Sequence, residues 1–162
     1  MSEATIRPST EADVPTILSL IRELAEFEER IHEVTSTAES LRAALFGERP
    51  CAEAIVAEVG EETVAYAIFF TTYSSFLGQP GLHLEDVYVK PEHRGNNIGT
   101  SILKELAKIS AERNYGRMEW TVLNWNQRAI DFYQKHGAEI LTDWRIVRTD
   151  SVGIDSLADP IQ

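Results

Sequence analysis

One fourteen-residue stretch decides the fold of this chain, and it reads Val87-Tyr88-Val89-Lys90-Pro91-Glu92-His93-Arg94-Gly95-Asn96-Asn97-Ile98-Gly99-Thr100. Its residues predict a strand, a loop and the start of a helix, in that order. The start of a helix has backbone N–H groups without intrahelical partners and the positive end of the helix dipole. Gly95 and Gly99 allow a ligand to approach the backbone closely, and Arg94 adds a positive charge. The stretch therefore predicts a binding site for a phosphate or pyrophosphate.

This loop differs from two common nucleotide-binding motifs, because it lacks both Gly-x-x-x-x-Gly-Lys-Ser/Thr and Gly-x-Gly-x-x-Gly. It resembles the pyrophosphate loop of the GCN5-related N-acetyltransferases (GNAT), Arg/Gln-x-x-Gly-x-Gly/Ala, at Arg94 and Gly99. Asn97 replaces the middle glycine, and asparagine tolerates a left-handed backbone. The alternative is an ordinary turn between strand and helix. The resemblance implies acetyl-coenzyme A as co-substrate, bound by Val87, Tyr88, Val89, Arg94, Gly95, Asn96, Asn97, Ile98, Gly99 and Thr100.

A second motif resembles the other cofactor segment of the same family, Asn-x-x-Ala-x-x-x-Tyr-x-x-x-Gly, and it begins at Asn126. The resemblance implies that Asn126 and Ala129 bind the cofactor and that Tyr133 adjoins the thioester sulfur. A thiol has a pKa near ~8.5 and tyrosine near ~10, so Tyr133 could give a hydrogen bond or a proton to a departing thiolate. The alternative is a core tyrosine that bonds a backbone carbonyl.

Two adjacent carboxylates, Glu85 and Asp86, directly precede Val87. An aliphatic ammonium has a pKa near ~10 and must lose a proton before it can attack a thioester. Because successive strand residues face opposite sides, we expect only one of the two to face the substrate. The resemblance implies Glu85 as the base, directly or through water, and the Val87 N–H as donor to the developing oxyanion. The alternative is that both carboxylates only face solvent.

The run from Leu84 to Val89, together with Phe27 and Glu28, resembles the spermidine/spermine acetyltransferase branch. That branch acetylates diamines, polyamines or lysine-like amines such as thialysine, and its members are typically homodimers. The resemblance implies a small cationic amine as partner, bound by Phe27, Glu28, Glu85, Asp86, Glu119, Trp120, Thr121 and Asp143. Two rivals stay open: a GNAT enzyme for an amino acid, aminoglycoside or protein N-terminus, and a non-catalytic acyl-coenzyme A-binding regulator.

Composition limits the possible partners. With 26 acidic and 15 basic residues the chain has a net charge of −11, which argues against nucleic acids and anionic membranes. An acidic field attracts small polycations. The four histidines show no metal-ligand spacing, so we expect no metal site. The chain has no long apolar run and no signal segment, and its one cysteine, Cys51, is expected in the core. These features predict a cytoplasmic protein.

The order of predicted elements gives the fold class. We expect a single domain over residues 1–162, with residues 150–162 as a C-terminal arm. Strands are predicted at residues 5–7, 54–59, 63–70, 82–89, 118–123, 138–141 and 144–147, and helices near 14–25, 36–46, 98–113 and 126–136. This is a mixed α/β order. The resemblance implies the GNAT fold, with six to seven strands, about four helices and a sheet that splays after its fourth strand.

Overall fold

The computed structural model describes residues 4–159, and the chain forms two compact units that meet in sequence between Thr121 and Val122. The single domain over residues 1–162 stays a prediction. Within the described residues, no helix is both long and apolar enough to cross a membrane.

The first unit is a sheet with helices on both faces. Its strands are β1 (Thr5–Pro8), β2 (Glu53–Val59), β3 (Glu62–Ser74), β4 (Gln79–Val89) and β5 (Met118–Trp120), and its helices are α1 (Val14–Phe27), α2 (Ala38–Phe46) and α3 (Ile98–Glu112). The strands lie in the order β1-β2-β3-β4-β5. All neighbours are antiparallel except β4 and β5, which are parallel. The predicted α/β class is confirmed, with five strands among residues 4–159.

Apolar side chains of alternate strand residues form the core. Val56, Tyr66 and Tyr88 project from one face of the sheet toward Ile17 and Leu20 of α1. Helix α3 contacts β4, β1 and β2 and buries its own apolar row, which includes Ile102 and Leu106. Each such buried side chain contributes roughly 1.5–3 kcal/mol by leaving water, so this packing fixes the positions of both helix layers.

Two local predictions need correction in the first unit. The spacing of Ser36 and Glu39 resembles a capping box and predicts one at the start of α2, but Thr37 and Ser40 form the box instead. The Ser40 N–H donates to Thr37 Oγ1 at 3.1 Å, and the Thr37 N–H donates to Ser40 Oγ at 2.9 Å. Serine and threonine cap almost equally well, so sequence alone does not choose between adjacent hydroxyls. Cys51 was expected in the core, but it is exposed because it lies in the link between α2 and β2.

The hairpin between β3 and β4 is longer than predicted. The serine, glycine and proline residues of the segment 73–81 predict a loop, but Tyr73 pairs with Pro80 and Ser74 pairs with Gln79. The turn closes through the Gly78 N–H, which donates to the Ser74 carbonyl at 2.8 Å, with Gly78 at φ +65°. Glycine adopts this left-handed conformation without strain, so a four-residue turn suffices.

The second unit contains α4 (Gln127–Lys135) and α5 (Ser151–Ala158) among its described residues. The strands predicted at 138–141 and 144–147 are not formed, because no other described strand pairs with them and a lone strand leaves its backbone groups unsatisfied. Helix α5 lies in the predicted C-terminal arm, where the Asp150 side chain caps it by accepting from the Gly153 N–H at 2.9 Å. Residues 160–162 of that arm lie outside the described residues.

Candidate active site

A β-bulge lies at the predicted reaction centre. Asp86 of β4 pairs with Ile68 of β3, and Leu84 pairs with Phe69, so Glu85 has no opposing residue. A bulge of this kind inserts one extra residue, bends the strand and changes which side chains project to each face. Its position places the irregularity immediately before Val87, where the sequence predicts the oxyanion donor.

The bulge brings both carboxylates to one side of the sheet. His83 pairs with Phe70, their rings stack with centroids 4.8 Å apart, and this side is also that of Asp86. Glu85 Oε2 lies 3.6 Å from His83 Nε2, so its carboxylate lies on this side too. The expectation that the two carboxylates lie on opposite sides of the strand is wrong, because strict alternation fails where a residue is inserted.

Asp86 has an environment that disfavours its charge. Burial, repulsion from Glu85 and repulsion from Glu28 raise its pKa to about 6. The Tyr66 hydroxyl donates to Asp86 Oδ2 at 3.3 Å and opposes this rise. Tyr66 is fully buried, and burial together with Asp86 raises its own pKa well above the ordinary value. Asp86 is therefore a carboxylate that titrates near the physiological range.

Glu28 follows the last residue of α1 and faces the same carboxylates. Burial raises its pKa, and repulsion from Glu33 acts in the same direction while Arg30 opposes it. We name Glu28, Glu85 and Asp86 the acidic cluster. Mutual repulsion among these carboxyl groups is the condition under which a cation is attracted most strongly.

The remaining predicted substrate residues are distributed more widely. Glu119 of β5 pairs with His83, which places it on the side of the acidic cluster, and it forms an ion pair with Arg117 at 3.0 Å. Trp120 pairs with Leu84, on the opposite side, and Thr121 is exposed beyond the end of β5. Asp143 lies in the second unit and is exposed in a segment without regular structure.

The edge of β4 is open beside the bulge. Strand β5 pairs with β4 only at Leu82, His83 and Leu84. From residue 85 to residue 89, β4 pairs only with β3 among the described strands. The sheet therefore opens after its fourth strand, as predicted, and an extended ligand could lie along this edge.

The predicted phosphate loop has left-handed residues at two positions. Gly95 has φ +84° and Asn97 has φ +62°, so the prediction that asparagine keeps the geometry of the missing glycine is confirmed. Asn97 is the residue before α3, and its side chain makes no capping hydrogen bond. The helix start is therefore not closed by its own cap, which suits an anion-binding role.

Arg94 lies between this loop and the end of α1. Its Nε donates to the Val89 carbonyl at 2.8 Å. Its guanidinium carbon lies 5.2 Å from the centre of the Phe27 ring and 5.4 Å from that of the Tyr88 ring. The sequence assigned Phe27 to the amine and Arg94 to the cofactor, and the structure brings the two into contact.

In the second unit, Asn126 caps α4 and its side-chain oxygen accepts from the Ala129 N–H at 3.2 Å. Tyr133 is seven residues along the same helix, which is about two turns, so both residues lie on one face. The Tyr133 ring is buried and lies 5.4 Å from the ring of Phe132. Asn126 is thus confirmed as the cap that starts this helix.

Sequence reasoning missed Tyr66 and His83, which contact the two carboxylates from β3 and from β4 itself. The only signal for Tyr66 in the sequence was its position two residues before the core residue Ile68, which places both side chains on the same side of β3. Across residues 4–159, no group of three or more His, Cys, Asp or Glu side chains is arranged to hold a metal ion.

Comparison with known proteins agrees with this geometry. The model of the Acetyltransferase (GNAT) family matches residues 17–138. The thialysine N-epsilon-acetyltransferase of Bos taurus is 38% identical, with 98% of this chain and 99% of that protein covered. The human spermidine/spermine N(1)-acetyltransferase-like protein 1 is 35% identical over 88% of this chain, which spans 22% of that protein.

A similar solved structure is an integron cassette protein from the mobile metagenome of V. cholerae. It has a TM-score of 0.81 and 22% identity, with 99% of both chains covered, which supports the fold. The family match over residues 17–138 and the 38% identity to the bovine enzyme establish that the chain belongs to the GNAT family of acetyltransferases and is an N-acetyltransferase.

Proposed function

We propose that this protein transfers the acetyl group of acetyl-coenzyme A to a primary amine of a small cationic substrate, either a lysine-like amine such as thialysine or a diamine or polyamine. The observation that supports this most directly is the acidic cluster beside the open edge of β4. The thialysine N-epsilon-acetyltransferases of cattle, pig and mouse are 36–38% identical over almost the whole chain.

The acidic cluster suits an ammonium group. Asp86 is half-buried and held by Tyr66, so its carboxylate can bind the cation in a fixed position. Glu28 approaches from the end of α1, and Glu119 extends the acidic side along β5. Charge-assisted hydrogen bonds to carboxylates are about twice as strong as neutral ones, so this side of the sheet favours a cation over a neutral amine.

The cofactor region suits an extended thiol cofactor with a pyrophosphate. The backbone at residues 85–89 would bind the pantetheine arm along the open edge of β4. Residues 94–100 and the start of α3 would bind the pyrophosphate, because Gly95 and Asn97 hold the loop in a left-handed form. Asn126 and Ala129 are proposed to bind the arm from the start of α4.

Acetyl-coenzyme A supplies the thioester whose carbonyl carbon the amine attacks. Glu85 accepts the proton that the amine must lose, and its exposed position allows direct or water-mediated transfer. The Val87 N–H donates to the carbonyl oxygen as negative charge develops there. Tyr133 donates its proton to the departing sulfur, so the products are the N-acetyl amine and the free thiol.

A homodimer also belongs to this proposal. Large apolar side chains are exposed in residues 138–149, including Trp144 and Val147. Exposed apolar segments of this kind mark protein contact surfaces, and a second copy of the chain could cover them. Sedimentation at micromolar concentration would give the mass of one chain or two. The cytoplasmic location stays a prediction.

Thiol release from acetyl-coenzyme A tests the function, with thialysine, lysine, spermidine, putrescine and a peptide with a free N-terminus as acceptors. We expect the highest kcat/KM for thialysine or spermidine. Glu28→Gln should raise KM for a cationic amine with little change in acetyl-coenzyme A affinity. Faster turnover of the peptide would contradict the amine class, whereas cofactor binding without turnover of any amine would favour a non-catalytic regulator.

A further inference from the structure

The end of α1 and the phosphate loop meet at one guanidinium group. Phe27 is the last residue of α1, and Arg94 begins the loop that leads to α3. Both rings that contact Arg94, those of Phe27 and Tyr88, lie within the ~6 Å range of a cation–π interaction. Tyr88 is 6% exposed and belongs to the core, whereas Phe27 is 44% exposed. The core therefore holds the Tyr88 ring in place, whereas the Phe27 ring belongs to a surface side chain.

The hydrogen bond between Arg94 and the backbone of β4 uses Nε and not the two terminal Nη groups. Nε, and neither Nη, donates to the Val89 carbonyl at 2.8 Å. A phosphate is bound most effectively by a planar guanidinium whose orientation is fixed. The Val89 carbonyl fixes one edge of the group, and the two rings restrict its plane.

We propose that Phe27 and Tyr88 form an aromatic clamp that orients Arg94 for the pyrophosphate of coenzyme A, so that Phe27 is a positioning residue for the cofactor. This inference rests on the proposed cofactor site. It extends that site, because Phe27 was assigned only to the amine. The end of α1, which also leads into Glu28 of the acidic cluster, thereby contacts both ligand sites.

The clamp has a defined energetic consequence. A surface arginine without a clamp samples many rotamers and loses that freedom when it binds a phosphate. An arginine that is already ordered loses less, so the ligand binds more tightly. Removal of the Phe27 ring should therefore weaken the binding of ligands that contain the pyrophosphate. It should leave the binding of an acetyl donor without the pyrophosphate unchanged.

Calorimetric titration of coenzyme A tests this inference without any amine. Phe27→Leu keeps apolar volume but removes the ring, and we expect Kd to rise about 2- to 10-fold. Phe27→Trp keeps an aromatic face and should bind within about 2-fold of the wild type. Phe76→Leu, at a fully exposed phenylalanine of the β3–β4 turn, is the matched control and should have no effect.

A double-mutant cycle with Arg94→Gln assigns the effect to the clamp. In the Arg94→Gln background, Phe27→Leu should cause no further loss of coenzyme A affinity, because the group it orients is absent. In the absence of any amine, the Kd of acetyl-pantetheine, which lacks the pyrophosphate, should be the same for Phe27→Leu as for the wild type.

Two results would overturn the clamp. One is that Phe27→Leu and Arg94→Gln lower the affinity for coenzyme A independently of each other, and the other is that Phe27→Leu lowers the affinity for acetyl-coenzyme A and for acetyl-pantetheine equally. A wild-type protein that fails to bind coenzyme A would overturn the proposed cofactor site itself, and the clamp with it. Normal binding by wild type and by Phe27→Leu would overturn the clamp alone.

Discussion

The Tyr66 hydroxyl lies 3.3 Å from Asp86 Oδ2, so a fully buried side chain of β3 supports the carboxylate that we propose to bind the amine. The two residues are diagonal neighbours on one side of the sheet, because Asp86 pairs with Ile68 and Tyr66 pairs with Tyr88. The hydroxyl is a donor, so it favours the charged form of Asp86, while burial favours the neutral form.

Amine binding should depend on pH through Asp86. Its pKa is about 6, so below this pH the carboxyl gains a proton and KM for the amine should rise, by up to ~10-fold per pH unit. Tyr66→Phe removes a donor that favours the charged form, so the rise in KM should begin at higher pH, by up to about 1 unit. Tyr73→Phe, at an exposed tyrosine of the same strand, is the control. If KM for the amine depends on pH in Tyr66→Phe as it does in the wild type, the Tyr66 hydroxyl does not control the charge of Asp86.

Asp86→Asn should stabilise the protein at high pH. The carboxyl has a pKa of about 6 in the folded protein against an ordinary value of 3.8, so its charge opposes folding above pH 6. This cost disappears as the pH falls below 3.8. Urea unfolding should therefore give a free energy of unfolding about 1–3 kcal/mol higher for the variant at pH 8, and a smaller difference at pH 4. Glu85→Gln, an exposed neighbour, removes only part of the repulsion on Asp86 and should give a smaller gain than Asp86→Asn.

Substitutions of the two adjacent carboxylates, Glu85 and Asp86, should change different kinetic constants. Glu85→Gln removes the proposed base, so kcat should fall by about 10²–10⁴-fold with little change in KM for the amine. Asp86→Asn removes a binding charge, so it should mainly raise KM. Steady-state kinetics at pH 8 measures both effects. The reverse assignment, in which Asp86→Asn loses kcat and Glu85→Gln loses affinity, would exchange the two roles.

Tyr133→Phe should lower kcat by about 10²-fold while the Kd of coenzyme A changes by less than 2-fold, because the phenylalanine ring keeps the packing against Phe132 and loses only the proton donor. Steady-state assays measure kcat, and calorimetry measures the Kd of coenzyme A. Tyr115→Phe, at a hydroxyl 2.6 Å from Thr71 Oγ1, is the control for loss of a phenol elsewhere. A normal kcat in Tyr133→Phe would remove the tyrosine from the mechanism.

Position 97 of the phosphate loop should accept glycine in place of asparagine, but it should not accept a β-branched residue. Asn97 has φ +62°, which glycine adopts freely and a β-branched residue strongly resists. Asn97→Gly should bind coenzyme A within about 2-fold of the wild type. Asn97→Val should raise Kd by about 10-fold, because a strain of about 1–2 kcal/mol displaces the start of α3. Equal affinities in the two variants would mean that the backbone geometry of the loop does not matter for binding.

Local signals in the sequence predicted the parts of the site that depend on neighbouring residues. Asn97 could be assigned a left-handed backbone and Asn126 a helix cap because those properties are set within a few residues. The other parts of the site depend on how two strands pair with each other, which local signals do not determine. The bulge at Glu85 depends on the register of β3, and the contact between Tyr66 and Asp86 joins residues twenty positions apart. The prediction of strands at 138–141 and 144–147 is wrong for the same reason, because periodicity does not show whether a neighbouring strand is present to pair with them.

The unopposed Glu85 has a consequence for protein engineering. Residues of β4 before the bulge and after it are out of phase by one position, so Leu84 faces away from the side that Asp86 faces. Exchange of part of β4 with the strand of a relative that lacks the bulge would move the side chains of one half of the strand to the opposite side of the sheet. Deletion of one residue between Leu84 and Asp86 would have the same effect. Recombination breakpoints should therefore lie outside residues 79–89, and the strand with its extra residue should be transplanted as one block.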